Sequence, residues 1–180
     1  MTGTTRRAWV GLALALAIVW PAVGSPGDAF RELDLLRLPS PKPAAEFTVP
    51  GLLERPIALR DFRGKVIFLN FWATWCPPCK EEMPSMERLY RRYKDRGLAM
   101  LAISIDSEDK AGVAAAFVKK YGLTFTIGLD ARLEVANRYT VRALPSSFLI
   151  DKSSRIVAVA LGPRDWDGTA AHAVIEGLLK

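Results

Sequence analysis

The sequence predicts an α/β fold: a mixed central sheet with helices on both faces and a β-hairpin in front of it. Three observations carry that expectation. Strand-length apolar runs, Val66–Trp72 and Leu98–Ile105, alternate with segments whose apolar residues recur at three- and four-residue steps, the pattern of parallel strands joined by helices. Further on, Ser146–Ile150 and Ile156–Leu161 are separated only by the turn-prone Asp151–Ser154, which adds an antiparallel pair. Both of the chain's 2 cysteines fall where the first of these strands meets its helix.

At 180 residues, 50% of them apolar, the chain suffices for one domain and a short extension. Residues 1–24 read as that extension. Arg6 and Arg7 form a basic start, Ala8–Trp20 is apolar, and Ala22-Val23-Gly24 is a small-residue cleavage pattern, so the segment reads as a secretory signal. The alternative is an uncleaved membrane anchor, although Ala8–Val23 contains Pro21 and falls short of the ~20 apolar residues a spanning helix needs. Either reading places the domain outside the cytoplasm, in the periplasm or on the outer face of the membrane. The formal charge is +6, or +4 once Arg6 and Arg7 are removed with the signal. The densest basic run, Arg88–Arg96, is interleaved with Glu87 and Asp95 and reads as a solvated helix face rather than a nucleic-acid surface.

Residues 25–43 contain Pro26, Pro39, Pro41 and Pro43 and read as a Pro-rich tether, with Phe30–Leu38 able to form a short amphipathic turn. The domain proper is expected over 44–180. Phe47–Val49 and Pro56–Leu59 flank Pro50-Gly51 and predict the front hairpin; Asp61–Lys65 turns the chain at Gly64. Val66–Trp72 has the length and the β-branched and aromatic content of a buried central strand. The helix after Cys79 lines up Met83, Met86, Leu89, Tyr90 and Tyr93 and ends by Gly97, with Glu87 and Arg91 as an exposed i, i+4 pair. Pro84 lacks the N–H that would bond back to Lys80 and should kink that helix. Leu98–Ile105 then forms a parallel strand, and Lys110–Tyr121 a helix with Val113, Phe117 and Tyr121 as its stripe. Phe125–Leu129 is strand-like, Leu133–Tyr139 a short helix, and Asp167–Leu179 a final helix with Val174, Ile175 and Leu178 inward.

Cys76 and Cys79 lie three apart at a helix start, hence one above the other on one face, and their sulfurs can meet. Unpaired N–H groups and the positive end of the helix dipole favour the Cys76 thiolate, which is the nucleophile. Pro77 and Pro78 suit a first turn, where the missing N–H costs nothing. A purely structural disulfide is the competing reading, but so small a ring restrains little chain. Zinc would need four ligands, and two cysteines with the lone His172 cannot supply them, so no metal is expected.

The run Phe71-Trp72-Ala73-Thr74-Trp75-Cys76-Pro77-Pro78-Cys79 closely resembles the active-site signature of thioredoxin-like proteins. Its continuation, Lys80-Glu81-Glu82-Met83-Pro84, resembles the exported TlpA/ResA branch. The likeness spans roughly Ala44–Lys180 and includes Ala143-Leu144-Pro145-Ser146 before the last hairpin. It implies a thioredoxin-like fold and a thiol-disulfide oxidoreductase without cofactor, in which Cys76 attacks and Cys79 resolves. It implies that Leu144-Pro145 is the cis-proline site presenting backbone to an extended substrate. Asn70 stands where cytosolic thioredoxin has a buried aspartate, so proton handling is expected from elsewhere. Glu82 matches the glutamate of the TlpA/ResA branch and shares the side of Cys79 and Met86, where a carboxylate raises thiol pKa values and can take the Cys79 proton.

Trp75, Pro77, Pro78, Leu144 and Pro145 are accordingly the expected substrate contacts. Trp72 reads as core, His172 as a surface or flanking residue, and Asp106 as a helix start or rim charge. The resemblance implies a reductant of protein disulfides, such as those of apocytochrome c or a copper-site assembly protein, fed by a membrane thiol donor. Pro77-Pro78 brings no cation to Cys76 and Glu82 opposes a thiolate, both traits of a poor oxidant. Two alternatives stand beside it. One is a non-catalytic docking or copper(I)-binding module. The other is a thiol peroxidase, suggested by the peroxiredoxin-like opening Ala44-Ala45-Glu46-Phe47, although its only candidate cysteine lies in the CxxC.

Overall fold

The computed structural model describes residues 26–52 and 55–180, so the expected signal or anchor lies outside the described residues. Among the described residues the central sheet has six strands, in the order β1 (Leu36–Pro43), β8 (Arg155–Leu161), β7 (Ser146–Ile150), β4 (Val66–Trp72), β5 (Leu98–Ser104) and β6 (Thr126–Leu129). Its middle strand is β4 (Val66–Trp72), buried along its whole length, as a strand covered on both faces must be. β5 (Leu98–Ser104) and β6 (Thr126–Leu129) run parallel to it on one side. β7 (Ser146–Ile150) and β8 (Arg155–Leu161) form the antiparallel hairpin on the other. Asp151 closes that hairpin by accepting from the Ser153 and Arg155 N–H groups. The sheet is therefore mixed.

Alternation along β4 separates the two faces. Val66, Phe68 and Trp72 join one cluster with α1 (Pro26–Glu32), α2 (Pro77–Tyr93), α3 (Ala111–Lys120) and α5 (Thr169–Leu179). Ile67, Leu69 and Phe71 join the other with α4 (Glu134–Arg138) and the hairpin of β2 (Thr48–Val49) and β3 (Ile57–Ala58). Met83, Met86 and Leu89 on α2 are fully buried, each worth about 2–3 kcal/mol relative to exposure. α2 is continuous through Pro84, and Gly97, at φ 102°, turns the chain into β5. The hairpin is pinned to the sheet edge by Leu52 N–H to Ile127 O and Leu129 N–H to Pro50 O, each 2.9 Å.

Three expectations are corrected. The stretch 25–43, expected as a tether, is ordered structure over its described residues 26–43: α1 packs on α5, and β1 (Leu36–Pro43) pairs with β8 as the outer strand of the sheet. Its prolines mark an edge, since a strand paired on one side only has spare N–H positions to lose. Glu87 is buried, not an exposed partner of Arg91 alone; it also accepts from Thr124 N and Oγ1 at 2.8 and 2.6 Å, tying α2 to the segment that leads into β6. On α3 the buried line is Ala114 and Val118, whereas Val113 and Tyr121 are exposed. Phe117 stays half-buried against Trp72 because the small face of the helix, not the aromatic one, meets the sheet.

Candidate active site

Cys76 caps α2 from an extended backbone (φ −99°, ψ 100°), and its Sγ accepts from Cys79 N–H at 3.3 Å. Pro77 and Pro78 occupy the first helical positions, as their fixed φ and missing N–H suit. The two cysteines are joined in a disulfide, Cα atoms 5.4 Å apart. Cys79 is fully enclosed, whereas Cys76 is 5% exposed and is the one of the pair that borders a groove. Cys76 lines a groove of about 460 Å³ with Trp75, Pro77, Pro78, Val141 and Leu144. Trp75 is 64% exposed at its edge, whereas Trp72 lies in the core. Leu144 and Pro145 are joined by a cis peptide bond. Pro145 falls outside the groove lining, and its carbonyl accepts from Gly162 N–H at 2.9 Å.

The loop before the disulfide is held from beneath. Asp106 is neither a helix start nor a rim charge but a buried carboxylate following β5. It accepts from Thr74 N–H at 2.9 Å, Thr74 Oγ1 at 2.8 Å and Ser104 Oγ at 2.6 Å. A buried carboxylate without such donors would be costly; with them it fixes the Thr74-Trp75-Cys76 approach.

Glu82, one turn beyond Cys79 on α2, is 3% exposed. Burial pushes its carboxyl up to about 7, against smaller opposing contributions from Trp166, Arg164 and Asn70. Trp166 Nε1 donates to Oε2 at 3.0 Å, Arg164 N–H to Oε2 at 3.3 Å and Asn70 Nδ2 to Oε1 at 2.9 Å. Asn70 Nδ2 also donates to Ser147 Oγ at 2.9 Å, and its Oδ1 is buried without a hydrogen-bond partner. An amide is well matched to a carboxyl near its midpoint, because it donates to the carboxylate and, turned over, accepts from the acid.

The sequence alone leaves Asn70 out of proton handling and singles out neither Trp166 nor Arg164. Trp166 is 1% exposed and meets Phe68 edge-on with centroids 4.5 Å apart. The available signal was a tryptophan just after Gly162-Pro163, since so large an apolar residue in a loop needs a place in the core. His172 lies away from the pair, between Tyr93 Oη and Asp167 Oδ1, 3.1 Å from each.

A strand-to-helix disulfide beside an apolar groove and a cis-proline, on this sheet, defines a thiol-disulfide oxidoreductase of the thioredoxin-like fold. Comparison with known proteins agrees. Residues 41–159 match the AhpC/TSA family. The chain is 43% identical over 139 residues to the thiol-disulfide oxidoreductase ResA of Bacillus thuringiensis, covering 77% of this chain and 76% of that protein. It is 37% identical over 159 residues to ResA of Halalkalibacterium halodurans, covering 87% and 88%. Among solved structures, a Chlorobium tepidum protein assigned as thiol:disulfide interchange protein DsbE superposes with a TM-score of 0.72 at 31% identity, over 79% of this chain and 99% of that one. StoA from Bacillus subtilis gives 0.58 at 30% identity, over 67% and 90%. The chain belongs to the thioredoxin-like TlpA/ResA family of thiol-disulfide oxidoreductases, enzymes whose substrates are protein disulfides.

Proposed function

We propose that this enzyme works outside the cytoplasm as a reductant of protein disulfides, with Cys76 the attacking thiol, Cys79 the resolving one and Glu82 the proton acceptor. The Cys76 thiolate attacks one sulfur of the substrate disulfide; a mixed disulfide forms and the substrate's other sulfur leaves as a thiolate and is protonated. Glu82 takes the proton of the enclosed Cys79, whose thiolate attacks Cys76 Sγ. The second substrate thiolate leaves, and the enzyme keeps the Cys76–Cys79 bond, two electrons poorer. The groove then receives the residues flanking the substrate cysteine, with Trp75, Pro77, Pro78 and Leu144 as apolar contacts. Pro145 shapes the backbone behind Leu144.

The observation that carries the reductant reading is the buried Glu82 with its three donors. A carboxylate one helical turn from Cys79 disfavours a thiolate there, and strong oxidants owe their power to a stabilised reduced form. The resemblance to ResA suggests apocytochrome c or a copper-site assembly protein as substrate and a membrane thiol protein as electron donor. Export rests on the sequence of residues 1–24; among the described residues, no helix is long and apolar enough to cross a membrane.

The test is the reduction potential of the Cys76–Cys79 couple, measured by equilibration in thiol redox buffers with alkylation of free thiols. A value near or below about −250 mV supports the reductant; one near about −120 mV would make the enzyme an oxidant and overturn the role given to Glu82.

A further inference from the structure

The Glu82 carboxyl is gripped by one short loop, and that loop is itself gripped by the N-terminal part of the chain. From Gly162 to Trp166 the loop bonds to Pro145 O through Gly162 N–H, to Glu82 through Arg164 N–H and Trp166 Nε1, and to Ser85 Oγ through Trp166 N–H at 3.1 Å. It thus spans from the cis-proline to the proton acceptor. The Arg164 side chain points the other way. Its Nε donates to Leu33 O at 2.8 Å, one Nη to Pro163 O at 2.8 Å, and the other to Asp34 O at 3.0 Å and Asp34 Oδ2 at 2.8 Å. Asp34 sits at φ 50°, a conformation that aspartate tolerates better than most residues and that lets the α1–β1 turn present consecutive carbonyls to one guanidinium. The Arg164 side chain is only 16% exposed.

The Arg164–Asp34 ion pair cannot account for this arrangement, because the Asp34 side chain is 87% exposed and water screens it. What the guanidinium supplies is geometry. A planar fork held by backbone carbonyls in several directions has little freedom, so neither does the Cα that carries it. We propose that Arg164 and the Leu33–Asp34 turn form a positioning clamp, through which residues 26–35 hold the Arg164 N–H on Glu82 and govern the carboxyl that serves the cysteine pair.

The inference deepens the proposed function and rests on its assignment of Glu82 as proton acceptor. The groups facing that carboxyl are few. Asn70 faces it from β4 and is itself bonded to Ser147 of β7, while Trp166 and Arg164 face it from the loop. Cys79 precedes it by one turn on α2. Glu81, Arg88 and Asp165 line with it a surface cleft of about 400 Å³, which shares no residue with the groove at Cys76. Removing an N–H from a carboxylate favours its protonated form.

The test titrates the oxidised full chain and follows the infrared carbonyl band of the protonated carboxyl, identified as the band missing in Glu82→Gln. Arg164→Met keeps the stem and removes the fork; Arg164→Lys keeps the charge but cannot bridge the same carbonyls. Both variants are expected to move the Glu82 midpoint upward by about half a pH unit or more. A folded Arg164→Met with the wild-type midpoint would overturn the clamp. So would an Arg164→Lys variant that restores that midpoint, because charge alone would then suffice; Arg164→Lys decides by itself if Arg164→Met does not fold. Stopped-flow measurement of mixed-disulfide resolution in Glu82→Gln separates the two claims. An unchanged rate and pH profile there would remove Glu82 from the chemistry, while the infrared midpoints would still decide the clamp.

Discussion

Glu82→Gln is expected to stabilise the oxidised protein, by an amount that grows with pH. Burial raises the folded-state carboxyl from 4.5 to about 7, so the folded protein holds this proton more tightly than the unfolded chain does. Below about pH 4.5 the group is neutral in both states and costs nothing. Between about 4.5 and 7 it ionises only in the unfolded chain, and wild type loses roughly 1.4 kcal/mol per pH unit. Above the folded value the loss levels off at about 3 kcal/mol. Glutamine does not titrate, can accept from Trp166 Nε1, and meets in Asn70 an amide that can turn to receive its NH2 group. The assay is urea unfolding of both proteins at fixed pH from about 4 to 9, with all other titrating groups cancelling in the difference. A difference that stays flat, or that shrinks with rising pH, would refute the assignment of a desolvated Glu82 that titrates near neutrality.

Other substitutions test the supports of the site. Asp106→Ala strands the Thr74 N–H and hydroxyl, and a loss of about 2–3 kcal/mol is expected in urea unfolding; a near-neutral result would mean that the loop before Cys76 does not depend on that carboxylate. Trp75→Ala removes an exposed side chain, so stability should stay within about 0.5 kcal/mol while KM for a protein disulfide rises and turnover of a small-molecule disulfide is unchanged. Equal losses on both substrates would place Trp75 in the chemistry instead of in recognition. Gly128→Ala would put a Cβ 2.7 Å from Val49 Cγ2 and 3.0 Å from Ile103 Cδ1, where the front hairpin crosses β6. A cost of about 1–3 kcal/mol is expected by thermal or urea unfolding.

Much of the sheet was legible because its strands are short, apolar and bounded by turn residues. Val66–Trp72 matches β4 residue for residue, and the Asp151–Ser154 turn joins β7 to β8 as its composition implied. The edge was not legible. Pro39, Pro41 and Pro43 suggest a tether or an outer strand equally well, and only the free side of β8 decides between them. For α3 the aromatic spacing pointed to the wrong face, since Val113, Phe117 and Tyr121 share a period with the truly buried Ala114 and Val118, one residue away. Glu87 and Asp106 carry no local sign of burial; their partners Thr124 and Thr74 lie 37 and 32 residues away in the chain.

What the sequence determined by itself is the pairing of Cys76 with Cys79. Three residues of separation at a helix start bring two sulfurs together through backbone geometry alone, and prolines between them agree with that turn. What only the tertiary structure decided is the environment of Glu82. Its desolvation and its donors come from β4, from the loop after β8 and, through Arg164, from the turn after α1, segments separated in sequence by up to 131 residues. Proton affinity depends on everything packed around a group in space, and the one-dimensional spacing of residues does not record that packing.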